Sequence, residues 1–388
     1  MLKQKRLQIL LIALLLIFCL TFAVYSADLY GTYDNRLKIT IDHTDIDSDL
    51  AWFPVTVFLT SSQGEEVFAE FDADEDFDRI AFTMSDGVTQ LYADCKLFDD
   101  SESKAIYHVS KTGWVLDSDT DTEFYLYYDN TAEHNTTYIS MSGGTAAQSV
   151  YDSNHITVQN MVDATTSTVL DSTSNNIDGT KVDENTPVQA STDLLGIGQT
   201  FDGDYVVLDD ENAIKNLVAS FTLTVVTKLN LVDRDQTFFA NGKGGTNGWG
   251  LWFSDTSDYV YFTKYGVADC ASNDALSVDT WYVLTLTVAA NNNPVLYIDG
   301  TSVHDFSNTS AISANTQTDS ISIGALKASS AEYLRGQIAL FRLSNTIRSA
   351  AWIKAENASV RDSLLTYGAE EGGEEEAVTN TLFIFQNF

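Results

Sequence analysis

After Tyr25 the chain has almost no stretch in which apolar residues recur every third or fourth position. Short runs rich in Val, Ile, Tyr, Thr and Phe instead alternate with clusters of Asp, Asn, Gly and Ser. Such runs bury strand faces and cannot build the apolar stripe of a helix, so the pattern restricts the chain to antiparallel sheets. In the first half RLKITID, FPVTVFLT, RIAFTM, AIYHVS and FYLYYDN read as strands of a sandwich. In the second half YVVLDD, FTLTVVTKL, QTFFANG, GWGLWFS, YVYFTKYG, TWYVLTLTVA, PVLYIDG, SISIGAL and QIALFRLS predict a larger two-sheet sandwich of jelly-roll type. The fold class is all-β, with two antiparallel sandwich domains. One late segment, SAAWIKAENASV, has helical character and is expected to cover an edge or close the end of the second sandwich.

The two ends differ from this pattern. Lys3, Lys5 and Arg6 precede an apolar run from Leu7 to Val24 that closes on Val24-Tyr25-Ser26. This predicts a secretory signal peptide cleaved after Ser26. The run is also close to the length that spans a bilayer, so an uncleaved anchor is the alternative. Both readings place the rest of the chain outside the cytoplasm, in the extracellular space or on a cell surface. The polar, unpatterned stretch 136–164 is expected to be a junction between a first domain at 27–135 and a second at 165–367. From residue 368 an acidic, Gly-rich run predicts a linker, ending in the apolar strand-like tail TLFIFQNF. That tail could dock on the chain's own sheet or, through Leu382 to Phe388, join a partner copy in self-assembly.

Composition excludes some partners. A formal net charge of −34 repels nucleic acid and anionic membranes. Cys95 and Cys270 fall in different halves of the chain and read as buried thiols. His43, His108, His134, His155 and His304 lack the spacing of a zinc motif or a catalytic triad. The stretch NNNPVLYIDGTSV reads as a hairpin whose Asp299-Gly300 pair suits a type I′ turn.

The motifs DSTSNNIDGT, QTFDGDYVVL, TWYVLTLTV, VLYIDGTSV, SIGA and LRGQIALFRLSNTIRSAAWIKAE, in that order over 165–367, resemble a laminin-G-like, concanavalin A-type lectin domain. Residues 36–130, through ITIDHTDIDSDLAWFPVTV, RIAFTMSDG and FYLYYDN, resemble an uncharacterised extracellular family, domain of unknown function 2341, found ahead of such lectin modules in bacterial, archaeal and phage surface proteins. The resemblance implies a secreted or surface-exposed binding or adhesion protein that recognises carbohydrate or a surface protein. A structural subunit of a surface layer, filament or virion is the alternative. It also implies a structural calcium in the loop Asp171–Asp178, with Asp171, Asn175 and Asp178 as ligands; ordinary turn capping is the other reading of that loop. Two departures, Ser174 in place of Gly and VQNMVD in place of a Trp-containing strand, bear on the shape of that loop.

Sugar binding needs aromatic platforms beside amide and carboxylate groups. The stretch NGKGGTNGWGLWFSDTSDYVYFTKYG is richest in these, and Trp252, Tyr261, Tyr265 and Asn247 are the candidate ligand-binding residues. Alternation sends Trp249 and Leu251 to one face and Trp252 to the other. Concanavalin A-like folds also house glucanases that carry paired carboxylates on a strand reading E-x-D-x-x-E. The chain's one match, Glu70 to Glu75, lies in the first domain within an acidic run, and no enzyme is expected.

Overall fold

The computed structural model describes residues 28–182, 187–209, 212–243, 247–318, 321–327 and 331–372. The expected leader and the tail Leu382–Phe388 lie outside the described residues. The first unit holds β1 (Asn35–Ile41), β2 (Leu50–Ala51), β3 (Val55–Thr60), α1 (Glu65–Glu70), β4 (Ile80–Met84), β5 (Tyr92–Asp99), β6 (Lys104–Ser110), β7 (Val115–Leu116), β8 (Thr122–Tyr128) and β9 (Ile139–Met141). There follow β10 (His155–Gln159), β11 (Thr168–Val169), β12 (Gly179–Val182), β13 (Val188–Thr192), β14 (Gly196–Asp202), β15 (Tyr205–Leu208), α2 (Asn212–Lys215) and β16 (Phe221–Leu229). The hairpin series β17 (Gln236–Lys243), β18 (Asn247–Phe253), β19 (Tyr259–Lys264) and β20 (Ala268–Ala275) comes next. The chain continues with β21 (Trp281–Val288), β22 (Pro294–Ile298), β23 (Thr301–Asp305), β24 (Ile321–Ile323), β25 (Arg335–Ser344), α3 (Ala350–Val360) and β26 (Thr366–Gly372).

Two four-stranded sheets, β26-β1-β8-β4 and β3-β6-β5-β9, form the first sandwich. Alternate residues of β1 and β8 (Leu37, Ile39, Phe124, Leu126) meet Val55, Val57 and Tyr107 between them. The second sandwich stacks the sheet β13-β14-β25-β16-β21-β22-β23, with β10 added on β25, against β11-β12-β15-β24-β17-β18-β19-β20. Trp249 is fully buried in its core, stacked on Phe221 at 4.5 Å between ring centroids. Asp299 (φ 51°) and Gly300 (φ 78°) make the predicted hairpin turn between β22 and β23. Arg361, just past α3, reaches the Asp299 carboxylate at 2.6 Å, so the hairpin is bracing.

The first sandwich docks on the outer side of the β16–β21–β25 sheet. There Val226, Trp281, Val283 and Leu340 meet Phe58 and Ile106 of the first unit and Val360 of α3. Trp281 therefore points away from the second sandwich's own core, as its alternation with Leu284 and Leu286 requires. Helix α3 starts at Ser349, whose hydroxyl accepts from the Trp352 N–H at 3.1 Å. It does not close the end of one sandwich but fills the seam between both: Trp352 and Ala355 join the first unit's core, and Trp352 meets Phe53 edge-on at 4.8 Å.

Two boundary expectations need correction. The segment 136–164 is not a loose connection, because β9 pairs in parallel with β5 and β10 is a fully buried strand on β25. The acidic run from Gly368 does not begin as a linker. Residues Thr366–Gly372 pair with β1, placing Glu370 opposite Leu37 and Glu371 opposite Arg36. Acidic side chains suit that position because β26 is an edge strand whose outer residues face water. Arg36 anchors Glu371 at 2.6 Å and lies between the rings of Tyr30 and Tyr125, 4.4 Å from each.

A buried polar network also crosses the seam. Asp94 accepts from Ser142 (2.7 Å), Tyr151 (2.8 Å) and Asn160 (2.6 Å). Lys96 donates to the carbonyls of Asn160 and Ala339, the latter at 2.8 Å. Arg342 on β25 pairs with Glu356 on α3 at 2.9 Å. Burial beside Arg342 and Lys96 holds His108 well below the usual histidine range, so its imidazole is neutral. Asp94 and Lys96 reach these partners only when both units are in place, which makes the seam specific as well as apolar.

Candidate functional site

With one sheet of the second sandwich covered by the first unit, the outer side of β17–β20 is the face that presents aromatic residues. In the β18–β19 register Trp252 lies directly opposite Tyr261, and their half-exposed rings stack at 4.6 Å and 28°. The Trp252 indole N–H donates to Thr263 Oγ1 at 2.8 Å, and the Thr263 hydroxyl donates on to Asp269 Oδ1 at 2.8 Å. This chain of hydrogen bonds fixes the indole and leaves the exposed Asp269 carboxylate beside an aromatic edge. Aromatic surface next to a fixed carboxylate and a hydroxyl can take a sugar ring, whose C–H face is apolar and whose hydroxyls seek acceptors.

The other two expected sugar residues are not part of this cluster. Tyr265 was expected at the surface and is instead buried, packed with Ala240 and Leu326. The reason is Gly250: a Cβ there would stand 2.2 Å from the Tyr265 hydroxyl, so the missing side chain makes the groove in which the phenol lies. Burial pushes the Tyr265 hydroxyl pKa well up, keeping it neutral. Asn247 is at the far end of β18, about 16 Å along the strand from Trp252 at ~3.3 Å per residue. There it ties to Thr316 Oγ1 at 2.7 Å.

The expected calcium loop folds as a self-capped turn. Asp171 is buried and its Oδ1 accepts from the N–H of Val158 (2.8 Å) and Thr173 (2.9 Å). Its Oδ2 accepts from the Thr173 hydroxyl (2.8 Å) and the Ile177 N–H (2.9 Å). Asn175 donates to the carbonyls of His155 and Ile156, and Asp178 accepts from the Asp171 N–H at 2.8 Å. The three residues are brought together, but four donors already occupy the Asp171 oxygens. The ligand set therefore does not fit a cation that needs those same lone pairs, and the assignment is corrected to turn capping. Burial raises the Asp171 carboxyl to about 6 despite these hydrogen bonds. Among the described residues one other group, Asp42, His43 and Asp121, brings ligand atoms within 4.8 Å of one another; it is an exposed ion pair in which His43 Nδ1 lies 2.7 Å from Asp121.

The E-x-D-x-x-E match is not on a strand. Glu70 ends α1 and Glu75 is in the 3₁₀ turn Asp74–Asp78, so the pair lacks the strand that sets carboxylate spacing in glucanases. Sequence reasoning missed the seam network because Asp94 and Lys96 break the apolar pattern of β5. The available signal was a run, YADCKLFD, whose flanking residues alternate correctly around two charges.

Residues 198–354 match the concanavalin A-like lectin/glucanases superfamily. The match covers most of β14, β15 to β25 and the start of α3 up to Lys354, in agreement with the jelly-roll sandwich and with the resemblance read from the second half. A comparison with curated proteins returns no match. Among solved structures, domain 4 of AbnA, an extracellular arabinanase from Geobacillus stearothermophilus in complex with arabinotriose, is 15% identical with a TM-score of 0.43; the alignment covers 52% of this chain and 97% of that one. The binding domain of botulinum neurotoxin DC in complex with rat synaptotagmin II is 11% identical, TM-score 0.40, with 53% and 52% covered. A Trypanosoma rangeli sialidase in complex with 2,3-difluorosialic acid is 15% identical, TM-score 0.41, with 54% and 34% covered. The chain thus spans about a third of the sialidase and about half of the toxin domain.

Proposed function

We propose that this chain is an exported, non-enzymatic protein that binds carbohydrate through the outer β17–β20 face of its lectin-like sandwich. The observation that carries the reading is the Trp252–Tyr261 stack, half-exposed on the uncovered sheet and fixed through Thr263 to Asp269. The superfamily match over 198–354 supports it, as does the leader expected from residues 1–26. The first unit, with its resemblance to a domain that precedes lectin modules, acts as a rigid spacer that holds the sandwich away from the surface to which the protein belongs. Binding without hydrolysis agrees with the off-strand placement of Glu70 and Glu75. A glycan array probed with folded protein, in calcium and in chelator, tests the reading. Retention of one glycan class in both buffers, reduced in Trp252→Ala, is the expected outcome; an array blank in both buffers refutes it.

A further inference from the structure

The loop Asp171–Asp178 is one wall of a cleft that neither unit forms alone. The cavity measures about 500 Å³, within the range of small-molecule sites, and is flanked by Trp52 and Tyr92 of the first unit and by Gln148, Asp152, Ser174 and Asn175 of the connection and second unit. A hollow of about 460 Å³ toward α3 adjoins it and shares Trp52 and Asp152.

Trp52 has φ +55°, a left-handed backbone unfavourable for a bulky residue. Its backbone N–H is held by the Trp114 carbonyl at 2.8 Å and its indole N–H by the Val150 carbonyl at 3.0 Å. The strained conformation thus aims the indole across the seam, and with its N–H engaged the ring offers apolar surface. Tyr92 is propped by Tyr138, 5.2 Å away at 33°. Of the hydroxyls that line the cleft, those of Tyr92, Ser149, Ser153 and Ser174 make no hydrogen bond among the described residues. The charge in the cleft is balanced, although the chain as a whole is strongly acidic. Arg348 grips both oxygens of Asp152 at 2.7 Å, and His155 Nδ1 lies 2.7 Å from the same carboxylate.

We propose that this cleft is a binding site for a short neutral saccharide, separate from the β17–β20 face. Aromatic surface suits the C–H faces of sugar rings, the unengaged hydroxyls suit a polyol, and the balanced charge favours neither anions nor cations. The inference is independent of the sheet-face reading.

Saturation-transfer difference NMR on the full chain, with maltotriose, cellotriose, xylotriose and chitotriose as probes and sialyllactose as the acidic comparison, tests it. Two variants address the cleft: Trp52→Gly, in which glycine adopts the positive φ freely, and Ser174→Trp, an exposed loop position that fills the cavity without touching a core. At least one neutral trisaccharide is expected to give transfer with the parent and with Trp252→Ala, and to lose it at least tenfold in both cleft variants. Transfer abolished by Trp252→Ala but unchanged in both cleft variants overturns the cleft and leaves the sheet face standing. Transfer from no neutral probe, or cleft-dependent transfer from sialyllactose alone, also overturns the proposal.

Discussion

Lys96 gives the account its most quantitative consequence. Its ammonium is fully buried in the seam and bonded to two carbonyls, and desolvation lowers its pKa from 10.5 to about 7. A lysine whose folded pKa is depressed binds fewer protons when folded than when unfolded between those two values, so stability rises with pH across that window. At ~1.4 kcal/mol per pKa unit the full rise is about 5 kcal/mol, an upper value because both carbonyls favour the charged form. Lys96→Met fills similar volume and cannot titrate. The stability of the parent minus that of Lys96→Met is therefore expected to climb by several kcal/mol between pH 7 and pH 10, measured by urea unfolding with tryptophan fluorescence. Other groups titrating in this range cancel in the difference. A difference that stays flat within ~0.5 kcal/mol would refute the burial of Lys96 at the seam, and with it the rigid docking of the two units.

Four further outcomes are expected. Trp252→Ala should weaken glycan affinity at least tenfold, a loss of ~1.4 kcal/mol or more, read by calorimetry, with thermal stability reduced by only ~1 kcal/mol because the ring is half-exposed. Acid should weaken the parent: His155 is depressed to about 4 by burial beside Arg348, so the unfolded chain takes up its proton first as pH falls below 6.5, and His155→Gln should remove up to ~3 kcal/mol of stability loss between pH 6.5 and 4. Asp171, raised to about 6, acts in the opposite sense over that window, so the variant difference is the quantity to measure. Lys264→Met should cost ~3–5 kcal/mol by urea unfolding, since its ammonium is the donor to the carbonyls of Asn292, Asn308 and Ser310 at 2.7 to 2.8 Å. Truncation before Thr366 should destabilise the first unit relative to truncation after Gly372, because only the former strips β26 from β1; equal melting temperatures would contradict that pairing.

The apolar strand runs of both sandwiches were legible because their spacing is dictated by burial on one or two faces, whereas β5, with Asp94 and Lys96 in it, was not; the Asp299-Gly300 turn was legible because few residue pairs tolerate two positive φ values. Trp252 and Tyr261 were legible for the same reason: alternation with the buried Trp249 and Leu251 forces Trp252 outward. Tyr265 was misjudged because its burial depends on an absent side chain, Gly250, on a neighbouring strand. Asp171 looked like a cation ligand because carboxylates that cap turns and carboxylates that hold calcium share the same local sequence; only the positions of four donors distinguish them. The seam was hidden for a different reason. Its charges on β5 find neutral partners across sequence separations of 66 residues for Asp94 to Asn160 and 243 for Lys96 to Ala339, and no local pattern records such pairing. Likewise β26 reads as an acidic linker until β1 is known to have an open edge beside Arg36.

The central claim, carbohydrate binding on the outer β17–β20 face, is tested most directly by hydrogen–deuterium exchange of the full chain with and without the strongest glycan found on the array. Slowed exchange concentrated in β18 and β19, around Trp252 and Tyr261, is the predicted result. A bound glycan that leaves exchange in those two strands unchanged would contradict it.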